Sequence, residues 1–246
     1  MSAPNQATSR SNEPQVTIII PCYNYSKWLQ RAIDSVVEQD YDNKKIIIID
    51  DCSTDDSINV ANAITQDYID TCQIEVIKTE VNSGPSVARN LGIAHAWEST
   101  SIYGMLDADD TYLQGKIRKS VEKISENPTV IGIVYGDAIL VNHKNGTSIY
   151  EYREPYNRRR LEQSCTMSTQ NFITRHAFSV CGLYDEDMRT AEDWDLQLRI
   201  TRNFVGVHIP EPLSTYSITG ENASDVVNMD VWQQNWQKIR ERHGRN

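Results

Sequence analysis

The stretch Val16-Thr17-Ile18-Ile19-Ile20-Pro21-Cys22-Tyr23-Asn24, read together with Ile46-Ile47-Ile48-Ile49-Asp50-Asp51-Cys52-Ser53-Thr54-Asp55, decides the fold. Each is a short run of β-branched residues that breaks abruptly into polar ones. The apolar character is continuous rather than alternating, which predicts strands buried on both faces. Between the two runs, Trp28, Leu29, Ala32, Ile33, Val36 and Val37 recur at helical spacing, with Ser26 placed as an N-cap. Strands are also expected at Ile74–Ile77 and Tyr103–Leu106, with helices after Ser53 and over Ser86–Ala96. This order predicts an α/β domain with a Rossmann-like, mixed but mostly parallel sheet flanked by helices, whose ligands sit at the carboxyl ends of the strands.

The rest of the chain is less regular. Ile131–Tyr135 reads as a strand, and Ala138–Tyr150 as a hairpin turning tightly at Asn145-Gly146, a dipeptide suited to a type I′ turn. Glu151–Arg160 is charged, with Arg158, Arg159 and Arg160 in a row, and is read as a solvated loop, an acidic acceptor or an anionic membrane surface being the other users of such a run. Residues 1–15 lack apolar content and read as a flexible tail, residues 16–224 as one domain, and residues 225–246 as a C-terminal helical extension.

Composition narrows the function. The 246 residues are 39% hydrophobic and 24% charged, which is ordinary for one large domain. A formal net charge of −10 argues against nucleic acid as a partner, since such binders need a basic surface. A phosphate-bearing ligand must then be held locally, with help from a bridging cation. Five scattered cysteines without a C-x-x-C pair read as reduced structural thiols. No apolar run is long enough to span a bilayer and no signal pattern opens the chain, so a cytoplasmic protein is expected, with peripheral association at the inner face of a membrane left open.

Three polar endings should collect along one sheet edge: Pro21-Cys22-Tyr23-Asn24, Asp50-Asp51-Cys52-Ser53, and Asp107-Ala108-Asp109-Asp110. Carboxylates crowded there repel one another unless they meet a cation, a hydrogen-bonding ligand or a shared proton. Asp107 and Asp109, as alternate residues of an extended segment, would offer hard oxygen ligands to Mg2+ or Mn2+. Ser53 is expected to cap the following helix, with Asp51 free to accept a hydrogen bond from a nucleobase. Gly84 allows a close backbone approach, and Arg89 on the helix after it is suited to phosphate or to the acidic cluster. Glu192 and Asp193 open a helix anchored by Trp194 and Leu198 and are the remaining candidates for a general base.

Taken in order, residues 16–24, Ile49–Asp55, Asn82-x-Gly84 with Ala88-Arg89-Asn90, Leu106–Asp110 and Glu192-Asp193-Trp194-Asp195-Leu196 resemble glycosyltransferase family 2. The resemblance implies a single GT-A domain that binds a nucleotide-sugar donor, UDP-linked by preference, and passes the sugar with inversion to a carbohydrate or lipid-linked glycan acceptor in surface polysaccharide or glycan assembly. It places Pro21, Tyr23, Asn24, Asp51, Gly84, Arg89, Asp107 and Ala108 at the nucleotide sugar. It puts Asp109, with Asp107, at a divalent metal, Mn2+ or Mg2+, and Asp193, with Glu192 beside it, at the acceptor proton. Many relatives carry a histidine after the last strand that helps hold the metal or diphosphate. Here Tyr216–Asn222 has none; Thr219, Asn222 or water would substitute, and His208 reads as structural. Two other functions stand beside it: a catalytically inactive nucleotide-sugar-binding or scaffolding module, and nucleotidyl transfer, which would need a basic glycine-rich loop after the first strand.

Overall fold

The computed structural model describes residues 13–220, 222 and 227–244. In chain order the elements are β1 (Val16–Cys22), α1 (Ser26–Val37), β2 (Lys44–Asp50), α2 (Ser57–Asp67), β3 (Gln73–Lys78), α3 (Pro85–His95), β4 (Ile102–Met105), β5 (Thr111–Tyr112), α4 (Lys116–Glu126), β6 (Ile131–Asn142), β7 (Thr147–Glu151), α5 (Arg158–Leu161), β8 (Phe172–Thr174), α6 (Arg175–Cys181), α7 (Glu192–Ile200), β9 (Val205–Ile218) and α8 (Met229–His243). One sheet runs β3-β2-β1-β4-β8-β6-β9-β5, with β7 paired to β6. The ladders β3-β2-β1-β4 and β6-β9 are parallel, while β8, β5 and β7 join antiparallel.

The isoleucine runs are continuous because the sheet has a core on each face. Val16, Ile18, Ile20, Ile46 and Ile48 enter one core with Leu29, Ile33, Ile64 and Ile117, contributed by α1, α2 and α4. Ile19, Ile47 and Ile49 enter the other with Ile93, Phe178, Leu196 and Ile239, contributed by α3, α6, α7 and α8. At about 25 cal/mol per Å2 of apolar surface, burying such side chains supplies roughly 1.5–3 kcal/mol each, and every one of these isoleucines is buried. Gly92 lets α3 lie close on β1: a Cβ there would stand 2.9 Å from Ile19 Cγ2. The register sets Cys22 opposite Asp50 and Ile19 opposite Met105, so the polar ends of β1, β2 and β4 emerge at one sheet edge, as the sequence predicts.

Several local expectations change. Ser26 is the first residue of α1 rather than its cap, and its amide donates to Asp55 Oδ2 at 3.1 Å, so the helix start is satisfied from the neighbouring loop. Ser53 does not cap α2, which begins at Ser57; its Oγ accepts from Asn24 N at 3.0 Å. The β6–β7 hairpin forms, but Asn142 pairs with Thr147 and only Gly146 of the intervening residues has positive φ. This is a wider loop than a type I′ turn, held by Asn142 Oδ1 accepting from Lys144 N and Asn145 N. Of the expected tail, residues 1–12 lie outside the described residues, whereas residues 13–15 join the fold: the Glu13 and Pro14 carbonyls accept from Asn43 and Tyr41. The Arg158–Arg160 run forms the short helix α5 rather than a loop; Arg158 is half-buried, pairing with Glu162 and donating to Leu198 O, whereas Arg159 and Arg160 are exposed as expected, Arg160 pairing with Glu154. Among the described residues no helix is long and apolar enough to cross a membrane.

Candidate active site

A cleft of about 640 Å3 opens at the carboxyl ends of β1, β2 and β4. Pro21, Tyr23, Asn24, Asp51, Gly84, Arg89, Asp107, Ala108, Asp109, Glu192 and Asp193 all line it. These positions come from five separated segments, and the sheet register brings them together. Backbone strain gathers here too. Asn24, Cys52 and Ala191, the non-glycine residues with left-handed backbone among the described ones, have φ of 60°, 61° and 57° and flank the three motifs.

Asp51 is not a free carboxylate. It is buried, and its oxygens accept from Thr79 Oγ1 (3.0 Å), Ser83 N (3.0 Å) and Gly84 N (2.7 Å). Asp51 therefore shapes the loop before α3, where Gly84 has φ +91°, a backbone that a side chain would strain. Asn24 is similarly engaged: its Oδ1 accepts from Thr54 N at 2.8 Å, tying the β1 loop to the β2 loop. Tyr23, in contrast, is 42% exposed on the cleft wall.

Asp107-Ala108-Asp109 is not extended; Asp110 N donates back to Asp107 O at 3.0 Å, closing a turn after β4. Asp107 receives Arg89 Nη2 at 2.8 Å, while Arg89 Nη1 donates to Glu192 Oε1 at 2.6 Å. One buried guanidinium thus joins the β4 turn to the start of α7, and Arg89 belongs with the acidic cluster. Its planar fork suits two carboxylates at once. Asp109 is buried; desolvation first and the Asp107 charge second push its carboxyl up to about 7, against the opposing pull of Arg31 and a Tyr25 hydrogen bond. Arg31 holds the same residue by its backbone, donating to Asp109 O at 2.8 Å. Beneath the turn, Asp110 is raised well above the carboxylate range by burial, and accepts from Ser217 N at 2.6 Å and from Gln170 Nε2.

Asp193 keeps part of its surface open to the cleft. Desolvation first, then the charge of Glu192, raise it to about 6, so it is a stronger base than an ordinary aspartate and still ionised at neutral pH. Glu192 is spent on Arg89, so only Asp193 of the pair is available to take a proton. The α7 helix that presents both is anchored by Trp194, whose Nε1 donates to Leu161 O at 2.6 Å.

The residues suit a divalent cation carried with a diphosphate better than a preformed cage. Among the described residues no group of three or more His, Cys, Asp or Glu converges as a metal site. An aspartate made hard to ionise first by burial and then by its aspartate neighbour is what a cation would relieve, and Mg2+-type ions are often held by one or two carboxylates plus phosphates and water. Asn222 directs its amide nitrogen, not its oxygen, at Asp109 Oδ2 (3.0 Å), so the expected substitute for histidine is a hydrogen-bond donor to the ligand rather than a ligand in this arrangement. The Oδ1 of Asn222 is occupied by Thr219 N at 2.9 Å. His208 is structural as expected, its Nε2 lying 2.8 Å from buried Asp137 and its ring stacked on Tyr135.

The sequence reading missed Arg31, Gln170, Arg189, Asn235 and Trp232. Arg189, Trp232 and Thr190 line the cleft, and buried Asn235 of α8 donates to Thr190 O and Oγ1 at 3.0 and 2.9 Å. His243 Nε2 also meets Asp195 Oδ1 at 2.9 Å, so α8 fastens the segment that carries Asp193 and is part of the site's support. None of these has a motif; helical periodicity with Trp232, Asn235, Trp236 and Ile239 was the one available signal.

Comparison with known proteins bears on the family and the fold. The model of a family described as glycosyl transferase family 2 matches residues 17–185. The minor teichoic acid biosynthesis protein GgaA of Bacillus subtilis is 30% identical over 190 residues, 72% of this chain and 41% of that protein. The crystal structure of S. aureus TarS 1–349 in complex with UDP-GlcNAc superposes with a TM-score of 0.73 at 18% identity, over 92% of this chain and 64% of that one. The mannosyltransferase PcManGT from Pyrobaculum calidifontis, in complex with GDP-Man and Mn2+, gives 0.67 at 18% identity, over 96% and 64%. At those identities the structural likeness is one of fold. The chain spans about a third to a half of the length of most curated relatives it matches.

Proposed function

The chain belongs to glycosyl transferase family 2 and has the GT-A fold, and on that premise we propose that it transfers a sugar from a nucleotide-diphosphate donor to an acceptor hydroxyl, inverting the anomeric centre, in the assembly of a surface polysaccharide or glycan. The observation that carries this reading is the convergence of Asp109 and Asp193 on one cleft, their neighbours Asp107 and Glu192 being joined by Arg89. UDP is the favoured nucleotide: TarS is solved with UDP-GlcNAc and with UDP, although PcManGT is solved with GDP-Man. Polysaccharide assembly is supported by GgaA, a teichoic acid biosynthesis protein.

In this reading Tyr23 and the Asp51-shaped Gly84 loop form the nucleoside end of the cleft, and Asp107 and Ala108 the ribose and phosphate region. Asp193 accepts the proton of the acceptor hydroxyl as that oxygen attacks the anomeric carbon from the face opposite the departing diphosphate. Its raised basicity matches the task near neutral pH. Glu192 acts through Arg89, holding the guanidinium so that Asp107 and α7 keep their spacing. Asp109, with Asp107, would hold Mn2+ or Mg2+, which when bound neutralises charge developing on the departing diphosphate. Burial of Asp109 and Asp110 keeps water from screening that region.

The test is thermal stabilisation by UDP, GDP, dTDP and CDP with and without Mn2+. A ligand bound only by the folded state adds RT ln(1 + [L]/Kd), about 2.7 kcal/mol at a hundredfold excess over Kd. The expected result is a selective, Mn2+-dependent rise for one diphosphate that is lost in Asp109→Asn. No rise with any of the four would sink the donor reading, and donor binding with undiminished transfer by Asp193→Asn would sink the assignment of the base.

A further inference from the structure

The charge balance of the cleft points to a residue that no motif marks. Among the described residues, six carboxylates and two guanidiniums line it, with no lysine or histidine. Arg89 is committed to Asp107 and Glu192, so it brings no spare positive charge to an incoming anion. Arg189 is the other guanidinium. It is exposed, and the polar contact it makes is with Asn82 Oδ1 at 3.5 Å, the outer limit of a hydrogen bond. Among the described residues it is the one cation of the cleft outside an ion pair.

The backbone that carries Arg189 is fixed on both sides. Met188 O accepts from Ser86 Oγ at 2.8 Å, and Thr190 is held by Asn235, all four residues being buried. The side chain lies along Gly84: a Cβ built there would stand 3.7 Å from Arg189 Cγ and 3.8 Å from Cζ and Nη1. An arginine presented from a pinned backbone over the wall of a strongly acidic cleft has a role that a solvated surface arginine lacks.

We propose that Arg189 is a donor-binding residue that grips the diphosphate of the nucleotide sugar. The inference rests on the donor reading above and deepens it. A diphosphate entering among six carboxylates is repelled unless a cation receives it, and a guanidinium presents forked N–H donors that match phosphate oxygens. Arg189 can release its long contact to Asn82 at little cost, whereas Arg89 cannot leave its two carboxylates without stranding them.

The experiment is calorimetric titration of UDP, UMP and uridine, or of the guanosine series if GDP stabilises better, into wild type, Arg189→Ala and Arg189→Lys with Mn2+ present. Arg189→Ala is expected to weaken the diphosphate by about 10- to 100-fold, the monophosphate by less and the nucleoside by under about twofold, with Arg189→Lys in between. An unchanged thermal midpoint certifies the fold, since the side chain is exposed. Diphosphate binding within about twofold of wild type overturns the proposal, and so does an equal loss of uridine and UDP, which would mean that Arg189 only shapes the nucleoside wall. Failure of wild type to bind any nucleotide would instead remove the donor reading itself, and this assignment with it.

Discussion

Replacing Arg89 with methionine should destabilise the fold before any substrate is considered. The side chain is almost wholly buried and donates to two carboxylates at 2.6 and 2.8 Å; the Glu192 side chain is 10% exposed and that of Asp107 30%. Removing one partner from a buried ion pair typically costs about 3–5 kcal/mol, chiefly because the other charge is left uncompensated. Asp107 retains solvent, so the lower figure applies, and methionine preserves part of the packing against Tyr184, whose ring centre lies 5.3 Å from the guanidinium. About 3 kcal/mol in a domain of this size lowers Tm by roughly 6–12 °C. Thermal unfolding followed by circular dichroism at pH 7.5, without nucleotide, measures it. Arg89→Met combined with Glu192→Gln removes the stranded charge and should recover more than half of the loss. A single variant within about 1 °C of wild type, or a double variant no better than the single, would refute the view that this guanidinium joins the two halves of the site.

Other outcomes follow from neighbouring residues. Asp193→Asn should cut transfer by about 100- to 10,000-fold while leaving the nucleotide-induced thermal shift intact, and the wild-type rate should rise with pH through about 6 as Asp193 loses its proton; a flat profile between pH 5 and 7 would count against Asp193 as the base. The Asp109 carboxyl is harder to ionise folded than unfolded, so the native state holds more protons than the unfolded chain between about pH 4 and 7 and stability falls as pH rises through that window. Asp109→Asn should accordingly raise Tm at pH 7.5 in the absence of metal and change it little below pH 4, as thermal scans across pH would show. Asp51→Ala leaves Ser83 N and Gly84 N without acceptors and should cost about 2 kcal/mol or more in urea unfolding, with loss of nucleotide binding because the Gly84 loop no longer holds its shape.

How much was legible in the sequence can be read from particular residues. The isoleucine runs announced strands buried on both faces because only a two-cored sheet tolerates unbroken apolarity, and the polar residues after them had to gather at one edge once those strands ran parallel. The same logic failed for local polar jobs. Ser26 and Ser53 looked like caps because capping is a short-range pattern, but Asp55 reaches across from the next loop to satisfy one helix and Ser53 serves Asn24. Asp51 looked free because its partners, Thr79, Ser83 and Gly84, come from another loop.

The sequence by itself determined the fold class, the family and the acidic residues that meet in the cleft, since these depend on periodicity and on motifs contiguous in the chain. Only the tertiary structure decided how those residues are engaged: that Arg89 joins Asp107 to Glu192, that Asp193 keeps part of its surface open to the cleft, that Asn222 offers its nitrogen to Asp109, and that α8 fastens Thr190 beside Arg189. The physical reason is that hydrogen-bond and ion-pair partners are chosen by distance in space, and buried polar groups are satisfied by whatever the packed elements bring within about 3 Å, a relation that no local pattern encodes.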